Sequence, residues 1–152
     1  MMLNFKRGFT ALETFIVLSV AILLIVIVLP SFQAMRNNQV LKATASEVVS
    51  ALDQARSQAL SSIDSSEYGV HFELNEIIIF KGTTFSSPDP NNENISITSP
   101  ASISSINLTG GAVDVYFDRL SGAPNKTGTI TISVSPFSKV ITISATGAIS
   151  MN

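Results

Sequence analysis

The chain has 152 residues, no cysteine, and nine Lys and Arg against eleven Asp and Glu. That length suits one ordinary domain plus an appendage, and the lack of cysteine excludes disulfides and thiolate metal sites. A balance so close to neutral is poorly suited to gripping nucleic-acid phosphates.

The apolar residues are concentrated at the start. Phe15 to Leu29 is broken only by Ser19. Counted from Phe9 to Leu29, 21 residues rise about 31 Å as a helix, close to the hydrocarbon thickness of a bilayer. A cleaved secretory signal has a shorter apolar core and a small-x-small cleavage site, whereas this run ends in Leu29-Pro30-Ser31-Phe32. Lys6 and Arg7 stand directly before the span, which predicts a cytoplasmic N-terminus and an extracytoplasmic chain from Pro30 onward; Arg36 and Lys42 beyond the far end weaken that asymmetry without reversing it. Pro30 lacks an N–H and clashes with the carbonyl of Val26, so the helix is expected to kink or melt locally there.

Glu13 is the anomaly. A carboxylate in hydrocarbon must be protonated, paired or near enough to the interface to reach water. One reading is an acid near a helix end reaching for the headgroups. The other uses the Gly8–Phe9 bond: cutting it would create an ammonium on Phe9, four residues before Glu13 and on the same helix face. That charge would pair with Glu13 of its own chain or of a neighbour.

A short basic leader ending in Gly8, then Phe9-Thr10-x-x-Glu13, then an apolar run closed by Pro30, resembles the N-terminus of type IV pilins and pseudopilins. The resemblance implies residues 1–8 as a prepilin leader, a cut by prepilin peptidase between Gly8 and Phe9, and N-methylation of Phe9. It further implies Glu13 as the carboxylate that guides assembly with other pilin or pseudopilin subunits, and Pro30 as the family's helix-loosening proline. The partners implied are the peptidase, those subunits, an inner-membrane assembly platform, and membrane lipid before assembly. Removing residues 1–8 takes Lys6 and Arg7 away, leaving seven basic residues against eleven acidic, a net charge of −4.

After the span (residues 9–30), residues 31–63 read as an amphipathic helix. Leu41, Ala45, Val48, Leu52, Ala55 and Ala59 recur at spacings of four and three, with Val49 and Leu60 widening the stripe. Small residues dominate it, which suits close packing on a sheet. Ser61 to Ser66 is a breaker cluster, and residues 64–152 then adopt period two. Strands are expected at Tyr68–Glu73 and Glu76–Lys81, a hairpin about Leu74-Asn75, and at Ile95–Thr98, Ser102–Leu108, Val113–Phe117, Gly128–Val134, Lys139–Ala145 and Ala148–Met151. Thr83 to Asn94 reads as a loop. The class is therefore α+β, a long helix on an antiparallel sheet or two packed sheets.

Three stretches, LKATASEVVSALDQARSQAL (Leu41–Leu60), VYFDRLSGAP (Val115–Pro124) and ITISATGAIS (Ile141–Ser150), resemble the GspH/FimT branch of pilin-like proteins. That branch implies a minor, tip-associated subunit of a type IV pilus or type II secretion pseudopilus, held in the inner membrane before assembly. Some members bind DNA through a Gly-Arg motif near the C-terminus, where this chain has Gly147-Ala148-Ile149-Ser150. With the acidic mature charge, this argues against DNA as a partner. A surface-displayed binding pilin, for DNA uptake or adhesion, and an unprocessed membrane-anchored domain are the alternatives.

No catalytic constellation is legible. His71 lies alone in an expected strand, no serine sits in a Gly-x-Ser-x-Gly elbow, and Gly110-Gly111 reads as a turn. Asp89, Asn91, Asn92 and Glu93 carry oxygens that calcium would accept, but without an ordered ligand spacing; a solvated, proline-stiffened loop is the preferred reading. Sequons at Asn94, Asn107 and Asn125 are frequent by composition alone in so Ser/Thr-rich a chain. No cofactor is expected.

Overall fold

The computed structural model describes residues 9–152. The chain divides between Arg36 and Asn37 into two units. The first is helical throughout from Ala11, where α1 (Ala11–Leu60) begins. Of the two outcomes expected at Pro30, a melted turn is absent: α1 is helical on both sides of it.

The second unit holds the last turns of α1, a short 3₁₀ turn (Ile63–Ser65), and eight strands: β1 (Tyr68–Phe72), β2 (Glu76–Lys81), β3 (Glu93–Ser96), β4 (Ser102–Leu108), β5 (Asp114–Phe117), β6 (Gly128–Val134), β7 (Phe137–Ile143) and β8 (Ile149–Met151). They form two antiparallel four-stranded sheets, ordered β3-β2-β1-β5 and β4-β6-β7-β8. The fold is α+β.

The core lies between one face of α1 and the inner face of each sheet. Leu41, Ala45, Val48, Leu52, Ala55 and Ala59 are all buried, joined by Thr44 and Ala51. Opposite them, Val70, Phe72, Ile77, Ile79, Val115 and Phe117 come from the first sheet. Ile103, Leu108, Ile130, Ile132, Val134, Ile141 and Ile143 come from the second. Burying each large aliphatic side chain is worth about 1.5–3 kcal/mol, so the alanines serve mainly to let the backbone approach the sheets. Leu60 departs from the expected stripe: it ends the helix and remains 40% exposed.

β3 starts two residues earlier than expected, inside the stretch read as loop. Its register explains this, because Ile95 pairs with Ile77, Glu93 reaches Ile79, and the run stops before Ser99-Pro100. β7 likewise starts at Phe137, since Val134 and Phe137 pair across a tight Ser135-Pro136 turn.

β2 is buried on both faces. Ile77 and Ile79 enter the core, while Ile78 and Phe80 are buried outside it, Phe80 against the loop that follows the strand. Phe85 holds that loop down: its ring stacks on His71 with centroids 3.9 Å apart and meets Phe80 edge-on at 5.8 Å. Gly69, paired with Phe80 and Tyr116 on either side, leaves room for the Phe80 ring. A β-carbon there would strike that ring and stand 2.7 Å from the Val115 carbonyl oxygen. Gly69→Ala is therefore expected to cost about 1–3 kcal/mol, read as a lowered Tm of the full-length protein in detergent; an unchanged Tm would show that the sheet relaxes freely.

Candidate functional site

In the first unit, Thr10 and Glu13 form the start of the helix together. The Glu13 backbone N–H donates to Thr10 Oγ1 at 3.2 Å, and Thr14 N–H donates to the Thr10 carbonyl at 3.2 Å. Thr10-x-x-Glu13 thus supplies the threonine half of a capping box, satisfying one of the donors a helix start leaves orphaned. It also places an acidic side chain in the first turn, where the helix dipole favours negative charge. The signal for this cap was in the sequence, inside the Phe-Thr-x-x-Glu motif itself.

Around this acid the side chains are bare. Phe9 is 76% exposed, and none of the most apolar 18-residue window of α1 is buried, so α1 is long and apolar enough to cross a membrane. A soluble core helix of this composition would be covered. Ser19 is the one polar break, and its hydroxyl donates to the Ile16 carbonyl at 2.8 Å, leaving no unsatisfied donor facing outward. Phe9, Glu13 and Pro30 all lie on this exposed segment; Gly8, the other half of the expected cut, is outside the described residues.

In the second unit, the three stretches singled out by resemblance meet at Arg56. Its Nε donates to the Gly122 carbonyl at 3.2 Å and its Nη2 to the Thr146 carbonyl at 3.4 Å. Gly122 lies between β5 and β6, and Thr146 between β7 and β8, so one guanidinium on α1 ties down two separate turns. The rigid fork of arginine suits two acceptors at once. Both turns depend on glycine. Gly147 has φ +77° and Gly122 φ +61°; side chains there would run into Arg56 and Leu60. The Leu120 N–H adds a bond to the Ala59 carbonyl at 3.0 Å. Nothing in the stretch Leu41–Leu60 marks Arg56 for this role, because its acceptors are backbone carbonyls far along the chain.

Elsewhere the polar groups are engaged locally. Asp89 Oδ1 accepts both the backbone N–H and the Nδ2 of Asn91 at 2.8 Å, which holds its carboxyl below the usual range. Asn92 Nδ2 donates to the Ser86 carbonyl. Among the described residues, no group of three or more His, Cys, Asp or Glu is placed to hold a metal ion. Lys81 donates to Asp64 at 3.0 Å, and that hydrogen bond raises the lysine pKa; Tyr68 beside them is raised by desolvation first and by Asp64 second.

A sequence profile of the type II transport protein GspH family matches residues 44–147. The chain belongs to the GspH family. The match spans Arg56, Gly122, Thr146 and Gly147, so the tie between helix and turns falls inside the family region. It begins after Phe9–Pro30, so the exposed apolar helix is an observation separate from the family match. No curated protein and no solved structure matches the chain. Family membership, with the long apolar helix, fits a membrane-anchored pseudopilin.

Arg56→Ala is expected to lower stability by about 1–2 kcal/mol through the two carbonyls it abandons. Arg56→Lys should recover only part of that, since an ammonium cannot copy the fork. Thermal melts of both variants check this, and equal stability of lysine and arginine would refute the two-turn tie.

Proposed function

We propose that this protein is a minor pseudopilin: a structural subunit processed at Gly8–Phe9, N-methylated on Phe9, and inserted through α1 into a type II secretion pseudopilus or a related pilus, near its tip. The observation that carries this reading is the uncovered apolar helix with a single carboxylate in its capped first turn. Family membership supports a role as a component of a secretion assembly rather than as an enzyme.

Before assembly, lipid shields the apolar side chains from Phe9 to Leu29. Prepilin peptidase exposes an ammonium on Phe9 at the positive end of the helix dipole, where it is unfavourable without a counter-charge. Glu13 of an adjacent subunit supplies one. As an inner-membrane platform moves the helix from lipid into a bundle of like helices, the apolar surface stays shielded. A wrong register would leave a charge buried and unpaired, and such a loss is worth about 3–5 kcal/mol. Pro30 removes one ladder hydrogen bond, so stretching the helix costs least near it.

Mass spectrometry of the membrane-purified protein should show a chain beginning at N-methyl-Phe9 when prepilin peptidase is present, and at Met1 when it is not. A Met1 start under both conditions would overturn the reading. Glu13→Ala should be processed normally yet fall at least tenfold in the sheared filament fraction; undiminished incorporation would remove Glu13 from assembly.

A further inference from the structure

Among the described residues, the non-glycine residues with positive φ are Ser62, Asp64, Ser65 and Leu120, at 51°, 51°, 54° and 68°. All four stand in one corner, where the segment leaving α1 meets the β5–β6 connection. Leu120 N–H and Ser62 N–H both donate to the Ala59 carbonyl at 3.0 Å, and Arg119 Nη1 donates to the Ser65 carbonyl at 3.1 Å. Serine and aspartate occupy left-handed backbone at modest cost, but a bulky leucine there is a true outlier. Glycine would hold the same turn and the same Leu120 N–H bond without that strain.

The leucine gains no core packing in exchange. Leu120 is 66% exposed, and Leu60 and Ile63, in the segment bonded to it, are 40% and 44% exposed. The corner therefore displays three aliphatic side chains edged by polar groups, Asp118, Arg119 and the Lys81–Asp64 pair among them. An apolar centre with a polar rim is the anatomy of a protein contact. Strained backbone concentrated at one exposed place points to function rather than to folding.

The size of the patch selects the occupant. Three partly exposed aliphatic side chains offer far less than the ~800 Å² per partner of a stable free-standing interface. A partner held only here would dissociate. A partner already tethered nearby needs only a small contact, because tethering raises its effective concentration to the millimolar range. We infer that the Leu60–Ile63–Leu120 corner is a docking knob for the β-domain of a neighbouring pilin-like subunit in the same filament, with Leu120 held in left-handed backbone to present it. This rests on the assembly proposed above, and adds a lateral contact that the apolar helix does not supply.

The full-length protein should carry a photo-crosslinking amino acid at position 120 in one strain and at Val17, on the exposed apolar helix, in another, with adducts identified by mass spectrometry. The inference expects adducts to a pilin-like subunit from both positions. Adducts from position 17 alone overturn the knob and leave filament assembly standing. Adducts from neither position overturn assembly and the knob with it. A position-120 adduct to a second copy of this chain in detergent, without filaments, or to a protein unrelated to pilins also overturns the inference.

A paired variant separates display from folding. Leu120→Gly and Leu120→Asn should leave Tm unchanged or raise it by a few degrees, while lowering incorporation into sheared filaments at least fivefold. A fall in Tm in both, or full incorporation of both, would show that Leu120 serves the turn and not a partner.

Discussion

An apolar helix with no protein around it must find its apolar surroundings elsewhere, and the organisation of this chain follows from that requirement. The same helix, continued past Arg36, becomes amphipathic and buries one face beneath two sheets. Two solvents are thus written along one secondary-structure element. In the first unit the burial has to be supplied by lipid or by other helices. In the second it is supplied by the chain itself, which needs small residues at Ala45, Ala51, Ala55 and Ala59 so that the sheets can approach.

Polar atoms within the apolar stretch obey the same requirement. Thr10 caps the backbone, and Thr14 and Ser19 turn their hydroxyls onto carbonyls three residues back. Each is satisfied by its own helix. Glu13 differs, because a carboxylate cannot be quieted by a backbone carbonyl. It is the one group in the segment that calls for something beyond the helix, whether water at the membrane edge or a positive charge.

The helical stripe was legible in the sequence, since a 3.6-residue period reports a buried face directly and six of its named positions are fully covered. Most strand positions were legible too, but their partition into two sheets was not. Period two says which side chains point inward; it does not say that β4 leaves β3 and pairs instead with β6. The run Ile77 to Phe80 hid its second buried face, because Phe85, which packs on Phe80, belongs to a loop that looked merely polar and proline-rich. At the candidate site the Thr10–Glu13 helix start was visible as a motif, whereas the Arg56 tie and the left-handed Leu120 backbone were not. The first depends on carbonyls 66 and 90 residues away, and the second on a backbone angle.

The Arg56 tie has a mechanical consequence. The covalent path from α1 to the β-domain is a single backbone bond after Leu60. In parallel with it run the Arg56 bonds to Gly122 and Thr146 and the Ala59–Leu120 bond. Tension arriving along the helix is therefore divided among the chain and two turns serving both sheets. Several modest bonds loaded together yield less readily than the same bonds loaded in turn. A subunit drawn out of a membrane by its helix would bring its domain along as one piece, instead of peeling it open from the first strand.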